Sequence, residues 1–197
     1  MVQTYKRITI DELNKADEEI KKNKVYSKDD ELVTIIVKKF PKHNCDIDEI
    51  AMKIAVIDVA NSTRLNMHKK TISIYDLAKK LSQIKNIDER LKEGDKTLVN
   101  EIANLYVKPR ITSFASKYCA IHNQIVYKQD DFCKYDELVR SNLGKYIEVK
   151  KTSLVHNYPL YHDKITEIIY LNRLDKVPNI RKKIDLFIWW DEKTSNK

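Results

Sequence analysis

Two side chains in the centre of the chain could do covalent chemistry together. Lys117 stands in a run of small and apolar residues, Phe114, Ala115, Tyr118, Cys119, Ala120 and Ile121. Burial disfavours the charged form of an amine, so a lysine in such surroundings can offer a neutral nucleophile. Asp136 follows in the segment Tyr135-Asp136-Glu137-Leu138-Val139-Arg140, at the expected start of a helix, where backbone N–H groups and the helix dipole keep a carboxylate ionised. Attack by the amine on an electrophilic carbon, with the carboxylate stabilising positive charge, is the chemistry this pair suits. Spacing alone leaves two plainer readings open, a buried ion pair or two unconnected surface charges.

These residues must be positioned by helices. Only two glycines and four prolines interrupt the chain, too few for the frequent turns of a β-sandwich or barrel. Thr9 with Glu12 reads as a capping box for a helix to about Lys22, with Leu13, Ala16 and Ile20 on one face. Ser27 opens a second helix with Leu32, Ile35, Ile36 and Phe40 as its apolar set, although the β-branched run Val33 to Val37 also fits a short strand; Pro41 ends it either way. Asp46 with Glu49 caps an apolar helix that runs into Asn61-Ser62-Thr63-Arg64. Further helices are predicted at 73–83, at 96–106 with Asp95 as cap, at about 114–122, and from Tyr135 to a stop at Gly144. Asn157 with Pro159, and then Pro178, open the last two, which turn Tyr161, Ile165, Ile168 and Ile169, then Ile180, Ile184, Phe187 and Ile188, inward.

Lys and Arg number 37 against 29 Asp and Glu, a formal charge of +8, which suits a polyanionic partner and equally suits a lysine-rich solvated surface. Three cysteines, Cys45, Cys119 and Cys133, form no CxxC, and the five histidines show no metal spacing, so no metal site is expected. With two glycines, a nucleotide-cradling loop is not expected either. The chain has no apolar run of spanning length and no signal-peptide pattern, so a cytoplasmic location is expected and a membrane partner is not.

In its central part the chain resembles the helix-hairpin-helix (HhH-GPD) superfamily of DNA glycosylases and AP lyases, as a divergent member. The resemblance lies in Ile111-Thr112-Ser113-Phe114-Ala115-Ser116-Lys117, where the family's hairpin ends in a catalytic lysine, in Tyr135-Asp136, where a catalytic aspartate opens a helix, and in Asn61 with Thr63, where an upstream helix end approaches the flipped base. It implies an all-α, two-lobed fold with a cleft: a single compact unit over 1–197, its HhH-GPD-like core at about 46–145, and the terminal helices in the second lobe. It implies excision of a damaged or modified base from double-stranded DNA through a Schiff base on Lys117, with Asp136 stabilising the cationic sugar and helping to deprotonate the lysine, and lyase activity following. Asn61, Thr63 and Tyr118 are then candidates for the base pocket, and Trp189 and Trp190 could stack on the extruded base or pack in the core. Ser113 and Ala115 stand where the family has hairpin glycines, and Lys108, Arg110, Lys145, Lys150 and Lys151 are candidate DNA contacts. The cysteine quartet of iron–sulfur members is missing, and no cofactor is expected. The lost glycines leave room for an alternative, a helical module that binds nucleic acid or protein without catalysis.

Overall fold

A computed structural model describes residues 4–43, 46–68 and 71–195. The helices are α1 (Ile10–Lys22), α2 (Lys24–Lys39), α3 (Ile47–Ala60), α4 (Ile74–Ser82), α5 (Ile87–Lys92), α6 (Thr97–Ala103), α7 (Thr112–Val126), α8 (Glu137–Asn142), α9 (Tyr158–Leu171) and α10 (Ile180–Ser195), with short 3-10 turns between some of them and no strand among the described residues. The all-α class expected from the sequence is what forms. No helix among the described residues is long and apolar enough to cross a membrane. Cys45 lies outside the described residues.

Local chemistry explains most boundaries. Thr9 and Glu12 form the reciprocal capping box, Thr9 Oγ1 accepting from the Glu12 N–H and a Glu12 carboxylate oxygen accepting from the Thr9 N–H. Asp46, Ser73 and Asn157 cap α3, α4 and α9. Two expectations need correction in α2. It starts three residues before Ser27, because Asn23 Oδ1 accepts from the N–H groups of Val25 and Tyr26. Its buried residues are Val33 and Val37, while Leu32 and Ile35 are about half exposed. The β-branched run stays helical, since packing against α1, α3 and α7 outweighs a weak intrinsic preference for strand.

Helix α5 was not expected. It is short, opens at left-handed Asn86, and buries Ile87 and Leu91. Gly144 is also not the left-handed stop expected; it lies inside a 3-10 turn, Leu143–Lys145, and only Gly94 of the two glycines has positive φ.

Helices α6 and α7 form a hairpin through residues 104–111, and α3 packs on α2, α4 and α7. The first and last helices, α1 and α10, lie against each other, and α8 and α9 pack on α10. One continuous core of buried side chains, including Ile54, Phe114, Tyr158, Ile165 and Phe187, runs between these groups.

Candidate active site

The site is assembled around a stretch of chain that has no helix of its own. Residues 128–136 run from the end of α7 to the cap of α8, and side chains of the surrounding helices bond their backbone groups. Asn123 of α7 accepts from the Asp131 N–H and donates to the Asp131 carboxylate, both at 3.0 Å. Tyr158 Oη of α9 accepts from the Cys133 N–H and donates to the Cys133 carbonyl. The Lys134 N–H donates to Asp185 of α10 at 2.7 Å, and the Tyr135 N–H to Ser116 Oγ of α7 at 2.8 Å. Asp130 in turn accepts from the Arg181 and Lys182 N–H groups at the start of α10. Buried backbone groups need partners, and here polar side chains supply what a ladder or helix would otherwise supply.

This framework brings three sequence-distant residues to one place. Lys117, on α7 and only 6% exposed, donates from Nζ to Asp136 Oδ2 at 3.2 Å and to the main-chain carbonyl of Asn61 at 2.9 Å. Asp136 divides its carboxylate between two tasks: Oδ1 caps α8 by accepting from the Leu138 N–H at 2.9 Å, and Oδ2 takes the ammonium. Asn61 ends α3, where the last carbonyls lack intrahelical partners and the dipole favours a cation. The chain then turns sharply through left-handed Ser62 and Arg64. Buried Asp58 holds that turn by accepting from Thr63 Oγ1 at 2.5 Å and from the Leu65 N–H at 2.9 Å.

A fourth residue at the same place escaped the sequence reading. Lys134 Nζ donates to Asn61 Oδ1 at 3.2 Å, so Asn61 receives one ammonium on its main chain and another on its side chain. Lys134 keeps some exposed surface, yet enough protein surrounds its amine that burial brings its pKa down to about 8. Asp185, which holds the Lys134 backbone, is pushed up to about 8 by burial, against the opposing effect of the bonds it accepts from Lys134 and Tyr161. The available signal was spacing: in chain without helix, residues two apart can project to one side, as Lys134 and Asp136 do here toward Asn61 and Lys117.

Other expected site residues lie elsewhere. Tyr118 is fully buried among the rings of His43, Phe114 and His122, with centroids 5.4, 5.4 and 4.2 Å away, so it is core and not pocket wall. Ala115 is fully buried, and both it and Ser113 are inside α7 rather than in a loop, with ordinary negative φ. Thr63 directs its hydroxyl to Asp58. Trp190 is partly buried against the core. Trp189 meets Tyr26 of α2 nearly at right angles, with ring centroids 5.5 Å apart, and lies beneath the Lys193 amine. Lys108, Arg110, Lys150 and Lys151 are exposed, but Lys145 is held by both oxygens of the buried Glu192 at 2.7 and 2.8 Å.

Burial drives the Cys119 and Cys133 thiols upward in pKa, which leaves both protonated and unreactive. Among the described residues no group of three or more His, Cys, Asp or Glu side chains could hold a metal ion. Two surface concavities, about 360 Å³ beside Lys6, Tyr146 and Asn172 and about 190 Å³ beside His43, Asn86 and Asp88, do not include Lys117.

The family model for the HI_0787_N N-terminal domain matches residues 10–128. The chain belongs to this family. An uncharacterized protein of Haemophilus influenzae is 28% identical over 138 residues, which cover 68% of this chain and 64% of the relative, so the chain spans less than two thirds of that relative's length. No solved structure matches the chain. Asn61 and Lys117 fall within the HI_0787_N match, whereas Lys134, Asp136 and Asp185 lie beyond it.

Proposed function

We propose that the protein is a DNA glycosylase with AP lyase activity, of the two-lobed helix-hairpin-helix kind, and that Lys117 and Asp136 carry the reaction. The observation that supports this most strongly is the contact of a buried lysine amine with a helix-capping aspartate and with the end of α3, by three residues far apart in sequence. The order and roles are those the family resemblance implies. The chain's +8 charge and the exposed Lys108, Arg110, Lys150 and Lys151 suit a phosphate backbone. Near these, Arg110 and Arg140 add to burial in lowering the His156 pKa, which reflects a positive local field beside the start of α7.

In this reading the enzyme extrudes a damaged or modified base, and Lys117 loses a proton so that its lone pair can attack C1′ of the deoxyribose. The glycosidic bond breaks with its electron pair departing on the base, which takes up a proton. Ring opening gives a Schiff base, and loss of a C2′ proton then expels the 3′ phosphate by β-elimination. Asp136 stabilises the cationic sugar as charge develops. The bonds from Lys117 to Asn61 and Asp136 fix the amine before substrate arrives.

A non-catalytic binding module is the second reading, and the observation that favours it is the placement of Ser113 and Ala115 within α7. Borohydride reduction on duplex DNA with an abasic site separates the two. Wild type should be trapped covalently, whereas Lys117→Gln should bind and not be trapped, and Asp136→Asn should be trapped at least about 10²-fold more slowly. A surface control, Lys182→Gln, gives the background. Trapping of Lys117→Gln at the wild-type level would make Lys117 structural and the binding module the better reading.

A further inference from the structure

We infer that Asp58 is a positioning residue of this site: by holding the turn after α3 it aims the main-chain carbonyl of Asn61, and through that carbonyl the lone pair with which Lys117 attacks. The inference deepens the glycosylase reading and rests on it for the reaction. A lysine ammonium has three N–H donors. Lys117 directs one to Asp136 Oδ2 at 3.2 Å and one to the Asn61 carbonyl at 2.9 Å, and the third has no acceptor among the described residues. Once a proton has left, two N–H bonds and one lone pair remain on Nζ. A single acceptor would leave the lone pair two directions. Two acceptors, each taking one N–H, leave it one.

The two acceptors are fixed by different means. Asp136 is held by its own bond to the Leu138 N–H. The Asn61 carbonyl belongs to the peptide plane shared with Ser62, so its direction follows the backbone angles on either side, ψ of 11° at Asn61 and φ of 48° at Ser62. Ser62, and then Arg64 with φ of 64°, lie in the left-handed region, which is unfavourable for a residue with a Cβ. Asp58 secures the residue that follows each of them. Its carbonyl accepts from the Thr63 N–H at 3.1 Å, and its Oδ1 accepts from Thr63 Oγ1 at 2.5 Å and from the Leu65 N–H at 2.9 Å. Asp58 is buried, which shields these bonds from competition with water.

Without the Asp58 carboxylate, the Thr63 hydroxyl and the Leu65 N–H lose their acceptor, and Ser62 is released toward the ordinary range of negative φ. The peptide plane between Asn61 and Ser62 then rotates, and its oxygen leaves the Lys117 amine. Lys117 keeps Asp136 as a partner, but its lone pair is divided between two directions. Misplacing a reacting atom by about 1 Å is enough to cost about 10²-fold in rate. Asp58 itself touches neither the substrate nor the reacting atoms in this reading; it acts through Asn61.

The test joins single-turnover borohydride trapping on abasic-site duplex, at saturating protein, with ¹⁵N NMR of the Lys117 amino group in the DNA-free protein, its signal assigned by its loss in Lys117→Gln. Two acceptors should keep that amino group in slow exchange with water in wild type. Asp58→Ala should speed the exchange and slow trapping about 10²-fold, with affinity for the duplex unchanged. Asp58→Asn, whose amide oxygen can accept the same two bonds, should restore both the signal and a trapping rate near that of wild type. Thr63→Val, which removes one of the two side-chain bonds, should fall between Asp58→Ala and wild type, and it carries the test if Asp58→Ala does not fold. A wild-type Lys117 signal and trapping rate in folded Asp58→Ala, or in Thr63→Val where Ala is unfolded, would overturn the inference. So would failure of Asp58→Asn to the extent of Ala, because charge and not aim would then matter, or a loss of trapping that saturating protein removes. Absence of wild-type trapping would sink the amine chemistry as a whole, and the Lys117 signal would still decide whether Asp58 holds the amine.

Discussion

Gly94 is remote from Lys117 in sequence, yet it controls how closely the segment bearing Lys134 and Asp136 can approach the hairpin of α6 and α7. Its φ of +70° lies in the left-handed region, and a Cβ built on it would sit 2.6 Å from Asp131 Cβ and 2.9 Å from Asp131 Cγ. Asp131 cannot swing away freely, because Asn123 holds both its N–H and its carboxylate and His162 Nε2 lies 2.8 Å from its carbonyl oxygen. Gly94→Ala should therefore incur two costs. A non-glycine residue in the left-handed region costs about 1–2 kcal/mol, and overpacking against atoms close to the backbone adds about 1–3 kcal/mol. Reduced freedom of the unfolded chain returns about 0.4–1 kcal/mol. The net loss should be about 1–4.5 kcal/mol, or roughly 2–18 °C in Tm at about 2–4 °C per kcal/mol for a chain of this size.

Urea unfolding of Gly94→Ala and wild type reads the first part, with Gly144→Ala as control. Gly144 has no left-handed φ and its nearest neighbour to a new Cβ is the Val149 carbonyl oxygen at 3.5 Å, so that variant should stay within about 0.5 kcal/mol of wild type. Folded Gly94→Ala should also be trapped more slowly on abasic DNA, because a shift of Asp131 passes along the pinned segment to Lys134 and Asp136. A loss below about 0.5 kcal/mol in Gly94→Ala would refute the steric argument. A clear loss of stability with an unchanged trapping rate would refute the link between this glycine and the site.

Two other outcomes follow from particular groups. Burial raises the Asp185 pKa from about 4 in the unfolded chain to about 8 in the folded protein, so its contribution to stability is present below the lower value and is lost as pH rises through the higher one. Urea midpoints at pH 5 and pH 8 should show wild type losing stability relative to Asp185→Asn over that interval, and a difference between the two proteins that does not change with pH would contradict this. For DNA binding, Arg110→Gln and Lys151→Gln should each reduce the slope of log affinity against log salt by about 1, while Lys145→Gln should leave it unchanged because Glu192 already holds that ammonium; equal effects from all three would show that Lys145 does face DNA.

The sequence disclosed the helices with strong local signals. Thr9 with Glu12, Asp46, Ser73 and Asn157 each carry a side-chain acceptor at the correct point, and their helices begin where those residues indicate. In α2 the signal was ambiguous, because apolar residues occupy two faces and only the neighbours α1, α3 and α7 decide that Val33 and Val37 go inward. Short α5 gave too few residues for periodicity to register. Tyr118 shows the same limit at the site: its place beside Lys117 in sequence suggested a pocket, but in a helix adjacent residues are turned well apart, and it enters the core instead.

What the sequence could not disclose is the tie between the site and the non-helical stretch 128–136. Periodicity reads regular elements, and here the backbone depends on single side chains from α7, α9 and α10 whose contributions have no pattern along the chain. The boundary of the family match falls at the same place: residues 10–128 include the amine of Lys117 and the α3 end that orients it, but not the carboxylate of Asp136 or the second amine of Lys134. Within the matched domain alone, Lys117 is a buried lysine facing a helix C-terminus, which is an ordinary way to satisfy a cation. Only the segment after it adds a fixed carboxylate on that amine and a second lysine on Asn61, and it is the pairing of amine and carboxylate that suits the covalent chemistry proposed for Lys117.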